Sequence, residues 1–411
     1  MQEKLPVEIC YYSSDFYAPY TGISMYSLCR SNEGVPFRIG CIDTGISEEN
    51  KEKMRRMAEA FEREIVFHDF TELETYIRDT LQLPLCNGSY ATYIKVFPDR
   101  IFQNTDRILF MDGDTIINGS IRPLLEMELE GYVFAAARVA LISEAWIYRE
   151  NRPDNLRLRY ALKFQKDGYY NIGVFYANLR RWAEVNFGSQ IMEMRKRHLD
   201  TITQASDVPI DEMLINLAVL ERCEEHYAVP FSPQYNSTVH QIPHFRGLRA
   251  NMLCGYLDKD DFNRAWYHPV IIHYCIFKPW YVDTFSPYRK VLDYYKSNSP
   301  WPDAFTEYHY RNKPERFFGA FVYRMPSERL MRFAIRAGHC FLRWRARFQN
   351  RVSKWKRFWL RLCGRNNIPE EELPPAKRTL PHWVLAVIRR CKCLLAGDLK
   401  AAFALPERWK H

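Results

Sequence analysis

The sequence predicts an α/β fold on a largely parallel sheet, extended by a basic helical region, and three observations carry that prediction. Residues 7–137 alternate between short β-rich runs and helical patterns, an order that places helices on the faces of a sheet. The chain has 411 residues, 47% hydrophobic and 15% aromatic, enough to bury a large core and too apolar for disorder. Its charge is divided: from Arg329 onward there are 20 Lys or Arg against 5 Asp or Glu, leaving 38 against 44 in residues 1–328, so the net +9 belongs to the tail.

VEICYY opens the sheet, and a helix follows near residues 21–31. FRIGCI is the second strand. The next helix opens at Ser47 and carries Glu48 and Glu49 in its first turn, and EIVFHDF is the third strand. In RILFMDGDTIING, residues 107–119, the apolar run Ile108 to Met111 reads as a buried strand that delivers Asp112 and Asp114 at its carboxyl end. Ligands of such sheets bind beyond the carboxyl ends of the strands. Further elements are the strand GVFYAN (173–178), a helix through RRWAEVNF, a helix over 210–220 (IDEMLINLAVL) and the strand VIIHY (270–274). Residues 229–250, rich in Pro, Gln, Asn and His, read as a long functional loop.

Two classes are excluded by what is missing. No apolar run follows a basic start, and no stretch reaches the roughly 18 apolar residues of a membrane span, so the protein is expected on the cytosolic side. The 11 cysteines contain no C-x-x-C pair, and Cys391 and Cys393 have the wrong spacing for a redox or zinc motif; they read as reduced thiols, mostly core fillers.

Two carboxylates as close as Asp112 and Asp114 repel, so they call for a cation, a shared proton or full solvation. A divalent ion would neutralise the pair and leave coordination positions for a diphosphate. The plain alternative is a strand end with Gly113 supplying the bend, and for an isolated D-x-D that alternative is the better bet. A phosphatase of the haloacid-dehalogenase type needs D-x-D-x-T; here Thr115 comes one position early, and no downstream acidic pair completes such a site.

Six blocks in register decide the matter. ICYYSSDFYAPY, IDTGISEEN, ATYIKVFPDRI with DRILFMDGDTII, YYNIGVFYANLRRW, IDEMLINLA and IIHYCIFKPW together resemble glycosyltransferase family 8, across about residues 7–282. The resemblance implies a retaining enzyme with a GT-A nucleotide-diphospho-sugar transferase fold, a Rossmann-like mixed sheet flanked by helices, close to bacterial lipopolysaccharide galactosyl- and glucosyltransferases. It implies that Asp112, Asp114 and His273 ligate Mn²⁺, with Mg²⁺ a possible substitute; a mixed oxygen and imidazole set suits Mn²⁺ better. Lys278 would reach the diphosphate and Lys95 the donor sugar and phosphates, while Asn171 and Gly173 would shape the donor pocket. Tyr12, Ser14, Asp15 and Tyr17, with Gly113, complete the nucleotide-binding set. Asp211 would bind a donor hydroxyl, and Glu212, where much of the family carries glutamine, would face the anomeric carbon as stabiliser or nucleophile. An aspartate expected after the strand at 132–137 is missing, its place taken by Arg138 or Val139, which leaves glucose, galactose and an unusual sugar all open as the donor sugar.

Residues 1–312 are expected to form the catalytic domain and 313–411 a basic amphipathic helical region. From Arg329 to Arg365 there are 12 basic residues and no acidic one, with apolar residues from Leu330 to Leu362 at steps of three and four. Each basic residue near an anionic leaflet contributes about 1 kcal/mol, which predicts docking on the cytoplasmic face of the inner membrane. Packing of that stripe on the catalytic domain is the competing reading. Nucleic acid is not expected as a partner, because no recognition fold accompanies the charge. The implied activity is transfer of a hexose from a UDP-sugar to a lipopolysaccharide-core or lipid-linked glycan. A glycogenin-like protein- or self-glycosylating transferase and a catalytically silent membrane adaptor are the alternatives.

Overall fold

Four strands, β1 (Glu8–Ser13), β2 (Arg38–Asp43), β3 (Ile65–Asp69) and β4 (Arg107–Met111), run parallel in the order β3-β2-β1-β4. This computed structural model describes residues 7–304 except 84, 86–88, 103–104, 139–167, 198–209, 223–226, 239–258, 276–277 and 279–287. The remaining strands are β5 (Thr115–Ile117), β6 (Phe134–Arg138), β7 (Tyr170–Asn178), β8 (Ala228–Phe231), β9 (Ser237–Thr238) and β10 (Ile271–His273). β7 enters antiparallel between β4 and β6, and β8 adds parallel to β6, giving a seven-stranded mixed sheet β3-β2-β1-β4-β7-β6-β8. The parallel half is the half in which strands and helices alternate in the sequence.

β7 is buried at all nine positions, and its Phe175 lies opposite Phe110 of β4 with the rings stacked at 4.9 Å. Such a pair contributes about 1 kcal/mol beyond the area it buries. β1 carries a charge into this interior. Glu8 is fully buried, accepting from Arg38 Nε at 2.7 Å and lying 2.5 Å from His68 Nε2. Burial alone would raise its carboxyl, but His68 and Arg38 together hold it below the ordinary range.

After β4 the chain leaves the large sheet. Asp112, Gly113 and Asp114 form a turn, and β5 then joins a second sheet in the order β5-β10-β9. A strand of three residues has little stability alone. Helix α1 (Ala18–Ser31) holds β5 in place through side chains spaced along one face: Ser24 Oγ lies 2.9 Å from Thr115 Oγ1, and Ser27 Oγ accepts from Ile117 N at 2.9 Å. Helix α2 (Glu48–Glu59) starts as the sequence predicts, with Ser47 Oγ accepting from Asn50 N.

Two expectations are corrected. The helix through RRWAEVNF is two helices, Leu179–Glu184 and Phe187–Arg197, separated at Asn186, whose φ of 50° is a left-handed conformation that asparagine tolerates. The loop expected over 229–250 is ordered at its start, where β8, a 3₁₀ turn Pro233–Asn236 and β9 follow one another; residues 239–250 lie outside the described residues. The basic stripe 329–365, and the boundary expected at 312/313, also lie outside them. Among the described residues no helix is long and apolar enough to cross a membrane.

Candidate active site

The turn between the two sheets is fixed from both sides. Asp112 N donates to Gly173 O of β7 at 2.7 Å, and Tyr274 N, just past β10, donates to Asp114 O at 3.0 Å. Thr115 closes the turn, its N and Oγ1 both donating to Asp112 O. A side chain at Gly113 would collide with Thr21 of α1, so glycine lets the turn press against that helix. Pairing of β5 with β10 sets His273 opposite Thr115. A histidine 159 positions away is thereby brought next to both aspartates.

His273 Nε2 lies 3.6 Å from Asp112 Oδ2 and 3.4 Å from Asp114 Oδ1. The other oxygen of each carboxylate is already occupied. Asp112 Oδ1 accepts from Lys95 Nζ at 2.5 Å and from Tyr12 OH at 3.4 Å, and Asp114 Oδ2 accepts from Lys278 Nζ. One oxygen per carboxylate thus faces a cation of the chain, and one faces the imidazole. The three inward atoms all lie within 4.8 Å of one another, a set of two hard oxygens and one nitrogen that fits a divalent metal ion.

The charges are balanced in a dry setting. Lys95 is 3% exposed. Burial opposes its charge, but Asp112, Tyr12 and Asp211 outweigh burial and hold its pKa above the usual lysine range. Burial likewise would raise Asp114, yet Lys278 and His273 keep it well below the usual carboxylate range. Tyr12 is pushed up by burial and by Asp112.

Beside the two aspartates and the imidazole stands an acidic pair with the opposite behaviour. Asp211 and Glu212 open the helix Ile210–Glu221. Burial raises Asp211 to about 6 against the pull of Lys95, and burial together with Asp211 raises Glu212 to about 8. Glu212 Oε2 accepts from Asn171 Nδ2 at 2.8 Å and from Ile172 N at 3.4 Å. Asp211 Oδ1 is buried and finds no hydrogen-bond partner among the described residues. A buried acceptor left unpaired costs about 1–3 kcal/mol, a cost that a donor hydroxyl seated there would relieve.

Asn171 and Gly173 sit where β7 slips its register against β6, between the pairs Ala136↔Phe175 and Ala137↔Asn171. The space that glycine leaves at 173 is filled by the His273 ring, which a β-carbon would overlap. Asn171 spends its side chain on protein groups: Oδ1 accepts from Gly173 N and from Asn236 Nδ2, and Nδ2 donates to Glu212.

Of the residues expected from the sequence, Tyr12, Lys95, Asp112, Asp114, Asn171, Gly173, Asp211, Glu212, His273 and Lys278 come together. Ser14, Asp15 and Tyr17 lie at the β1–α1 turn. There Asp15 Oδ1 accepts from Ser47 N and Asn50 Nδ2 and so caps α2, while Tyr17 is 42% exposed and interacts electrostatically with Lys278. Arg138, at a position where an aspartate was expected, donates to Tyr170 OH at 3.4 Å. Two residues were missed. Asn236 accepts from His273 Nδ1 through its Oδ1 at 2.8 Å and donates through its Nδ2 to Asn171. Asn216 clips the helix to β7 by accepting from Tyr170 N and donating to Tyr170 O, each at 2.8 Å. A polar residue one turn after Glu212 in an otherwise apolar run was the available signal for Asn216.

Comparison with known proteins agrees with this architecture. Residues 8–284 match the model of glycosyl transferase family 8, and the chain belongs to that family. It is 23% identical over 288 residues to the lipopolysaccharide 1,3-galactosyltransferase of Salmonella typhimurium, covering 68% of this chain and 74% of that one. A Haemophilus influenzae relative, 24% identical over 204 residues and 46% of this chain, is spanned over only 54% of its own length. Among solved structures, the galactosyltransferase LgtC in complex with donor and acceptor sugar analogues superposes with a TM-score of 0.53 at 18% identity, covering 72% of this chain and 96% of LgtC. That likeness establishes the GT-A fold, a mixed central sheet flanked by helices.

Proposed function

We propose that this member of glycosyl transferase family 8 moves a hexose, glucose or galactose, from a UDP-sugar to a glycan acceptor with retention of anomeric configuration. The acceptor class we favour is a lipopolysaccharide core or a lipid-linked saccharide, in keeping with the Salmonella relative. The observation that carries the reading is the inward triangle of Asp112 Oδ2, Asp114 Oδ1 and His273 Nε2, with a lysine on the far oxygen of each carboxylate.

The chemistry follows from charge. A nucleoside diphosphate leaves as a multiply charged anion, so its departure needs positive charge in place beforehand. Mn²⁺ held by Asp112, Asp114 and His273 would supply Lewis-acid stabilisation of that leaving group worth several kcal/mol. Lys278, at the edge of the site and tied to Asp114, is placed to offer its ammonium to a diphosphate oxygen. Lys95 stays behind Asp112 and holds that carboxylate in orientation through its Oδ1. Asp211 offers its unpartnered Oδ1 to a donor hydroxyl. Glu212, with a pKa of about 8, is mostly protonated at neutral pH in the free protein. A neutral side chain there is a poor nucleophile, which favours front-face departure of the leaving group without a covalent intermediate. The basic stripe at 329–365 would keep the enzyme at an anionic membrane surface, where a lipid-linked acceptor resides.

UDP release from UDP-glucose and from UDP-galactose, measured with and without Mn²⁺ and with and without a membrane extract, tests the proposal. Release from one donor that requires Mn²⁺ and rises with the extract is expected. No release from either donor under any combination would refute it.

A further inference from the structure

A neutral imidazole carries one proton on either of two nitrogens, and it ligates a metal only through the bare one. His273 presents Nε2 to Asp112 and Asp114, and two carboxylates by themselves favour a proton at Nε2, the wrong place for a ligand. The opposing influence comes from Nδ1, which lies 2.8 Å from Asn236 Oδ1. An amide oxygen only accepts, so this contact requires the proton on Nδ1.

The contact decides the tautomer only if the Asn236 amide cannot turn over and offer its NH₂ instead. It is held against that. Asn236 Nδ2 faces two acceptors, Asn171 Oδ1 at 2.8 Å and Asn171 O at 3.2 Å, and turning the amide would set oxygen against both. The Asn171 amide is itself directed: its Oδ1 accepts from Gly173 N at 3.0 Å, and its Nδ2 donates to Glu212 Oε2 at 2.8 Å. A backbone N–H has no alternative role, so the sense of every bond from Gly173 to His273 follows from it. His273 is 2% and Asn236 1% exposed, so solvent does not compete for these bonds.

We propose that Asn236, oriented by Asn171, is a positioning residue that locks His273 in the Nδ1–H tautomer and keeps Nε2 bare and aimed at the two aspartates before metal arrives. This rests on His273 being a metal ligand. It adds that the tautomer is set by amides drawn from β7 and from the 3₁₀ turn before β9. Partners of this kind typically change metal affinity by about 10–100-fold when removed.

The test uses the full chain, metal-free, with ¹⁵N-labelled histidine, and reads the imidazole nitrogens by long-range ¹H–¹⁵N correlation. His273→Gln identifies the His273 signals among those of the 11 histidines. The expected wild-type spectrum shows Nδ1 protonated and Nε2 bare; a proton on Nε2, or an even mixture, overturns the proposal. Asn236→Leu, similar in size and without an acceptor, is expected to lose the single tautomer and to weaken Mn²⁺ binding, read by electron paramagnetic resonance of free Mn²⁺, by roughly tenfold or more. Asn236→Asp, which can still accept from Nδ1–H, is expected to keep the tautomer. A folded Asn236→Leu protein with wild-type Mn²⁺ affinity overturns the proposal, and if that variant does not fold the wild-type spectrum decides alone. A wild type that shows the Nδ1–H form yet binds no Mn²⁺ overturns the metal-site reading, and the relay's role with it.

Discussion

Replacing Glu212 with glutamine separates two readings of this side chain by both stability and rate. Glu212 is half-buried, and its carboxyl is raised from 4.5 to about 8, by desolvation first and by the neighbouring Asp211 second. Because the folded value lies above the unfolded one, the folded chain keeps a proton that the unfolded chain releases, and stability falls as pH rises through that window. Each pH unit inside it removes about 1.4 kcal/mol. From pH 5 to pH 7 the share of Glu212 is therefore about 3 kcal/mol on the linkage slope. Asp211, raised to about 6, adds a slope of the same sign at lower pH, which remains in the variant. Urea unfolding followed by tryptophan fluorescence in metal-free buffer at pH 5, 6 and 7 measures the difference directly. The stability of Glu212→Gln minus that of the wild type should climb by about 3 kcal/mol across the range. At pH 7 a protonated Glu212 offers one accepting and one donating oxygen, as an amide offers oxygen and nitrogen, so transfer by the variant should stay within about tenfold of wild type. Wild-type activity should change above pH 8 as Glu212 ionises, and that of the variant should not. A stability difference that is flat with pH, or a loss of roughly ten-thousandfold in a folded Glu212→Gln, would refute the reasoning and restore the nucleophile.

Other perturbations probe the remaining parts. Asp112→Asn and Asp114→Asn should each cut transfer by roughly a thousandfold with the fold retained, and near-normal turnover of both at saturating Mn²⁺ would defeat the metal model. Asp112→Ala is a poorer choice, because it strands buried Lys95 without its partner and should cost about 3–5 kcal/mol of stability, read by urea unfolding. Gly173→Ala should displace the His273 ring and weaken Mn²⁺ binding by roughly tenfold or more while destabilising the fold by about 1–3 kcal/mol. Removal of residues 329–411 should shift the protein from anionic vesicles to the supernatant in a sedimentation assay, and unchanged sedimentation would assign the basic stripe to another role.

What could be read from the sequence follows the range of the interactions involved. β1 to β4 were legible because each is a short apolar run between helical patterns, and a parallel sheet asks for little more than that. The antiparallel entry of β7 was not, since nine buried residues fit a central strand running in either direction. Asp112 and Asp114 stood out as a carboxylate pair at a strand end, but His273 was joined to them only through the ordered blocks that resemble the family, not through spacing. Asn236 escaped because P-Q-Y-N-S reads locally as a polar turn. Its burial arises only when β10 pairs with β9 in the register His273↔Thr238, a contact made across 35 residues. The Asn186 break escaped for the opposite reason, a single backbone angle inside a helical pattern that otherwise continues.

The same geometry explains why the acidic pair stands at a strand end and not on a helix or loop. Had β4 simply run on, the two aspartates would have remained on the edge of one sheet, with no imidazole beside them. Because the chain changes sheets over three residues, Asp112 stays bonded to β7 through its N–H while Asp114 is bonded to the end of β10 through its carbonyl. Each carboxylate is thus referred to a different sheet, and His273 and Asn171 bring the two sheets back into register through Asn236. The polar face of α1 then becomes part of the site at one remove, since Ser24 and Ser27 hold the short strand that makes the crossing. A slip of one residue between β5 and β10 would turn His273 to the other face, away from half-buried Asp112 and buried Asp114.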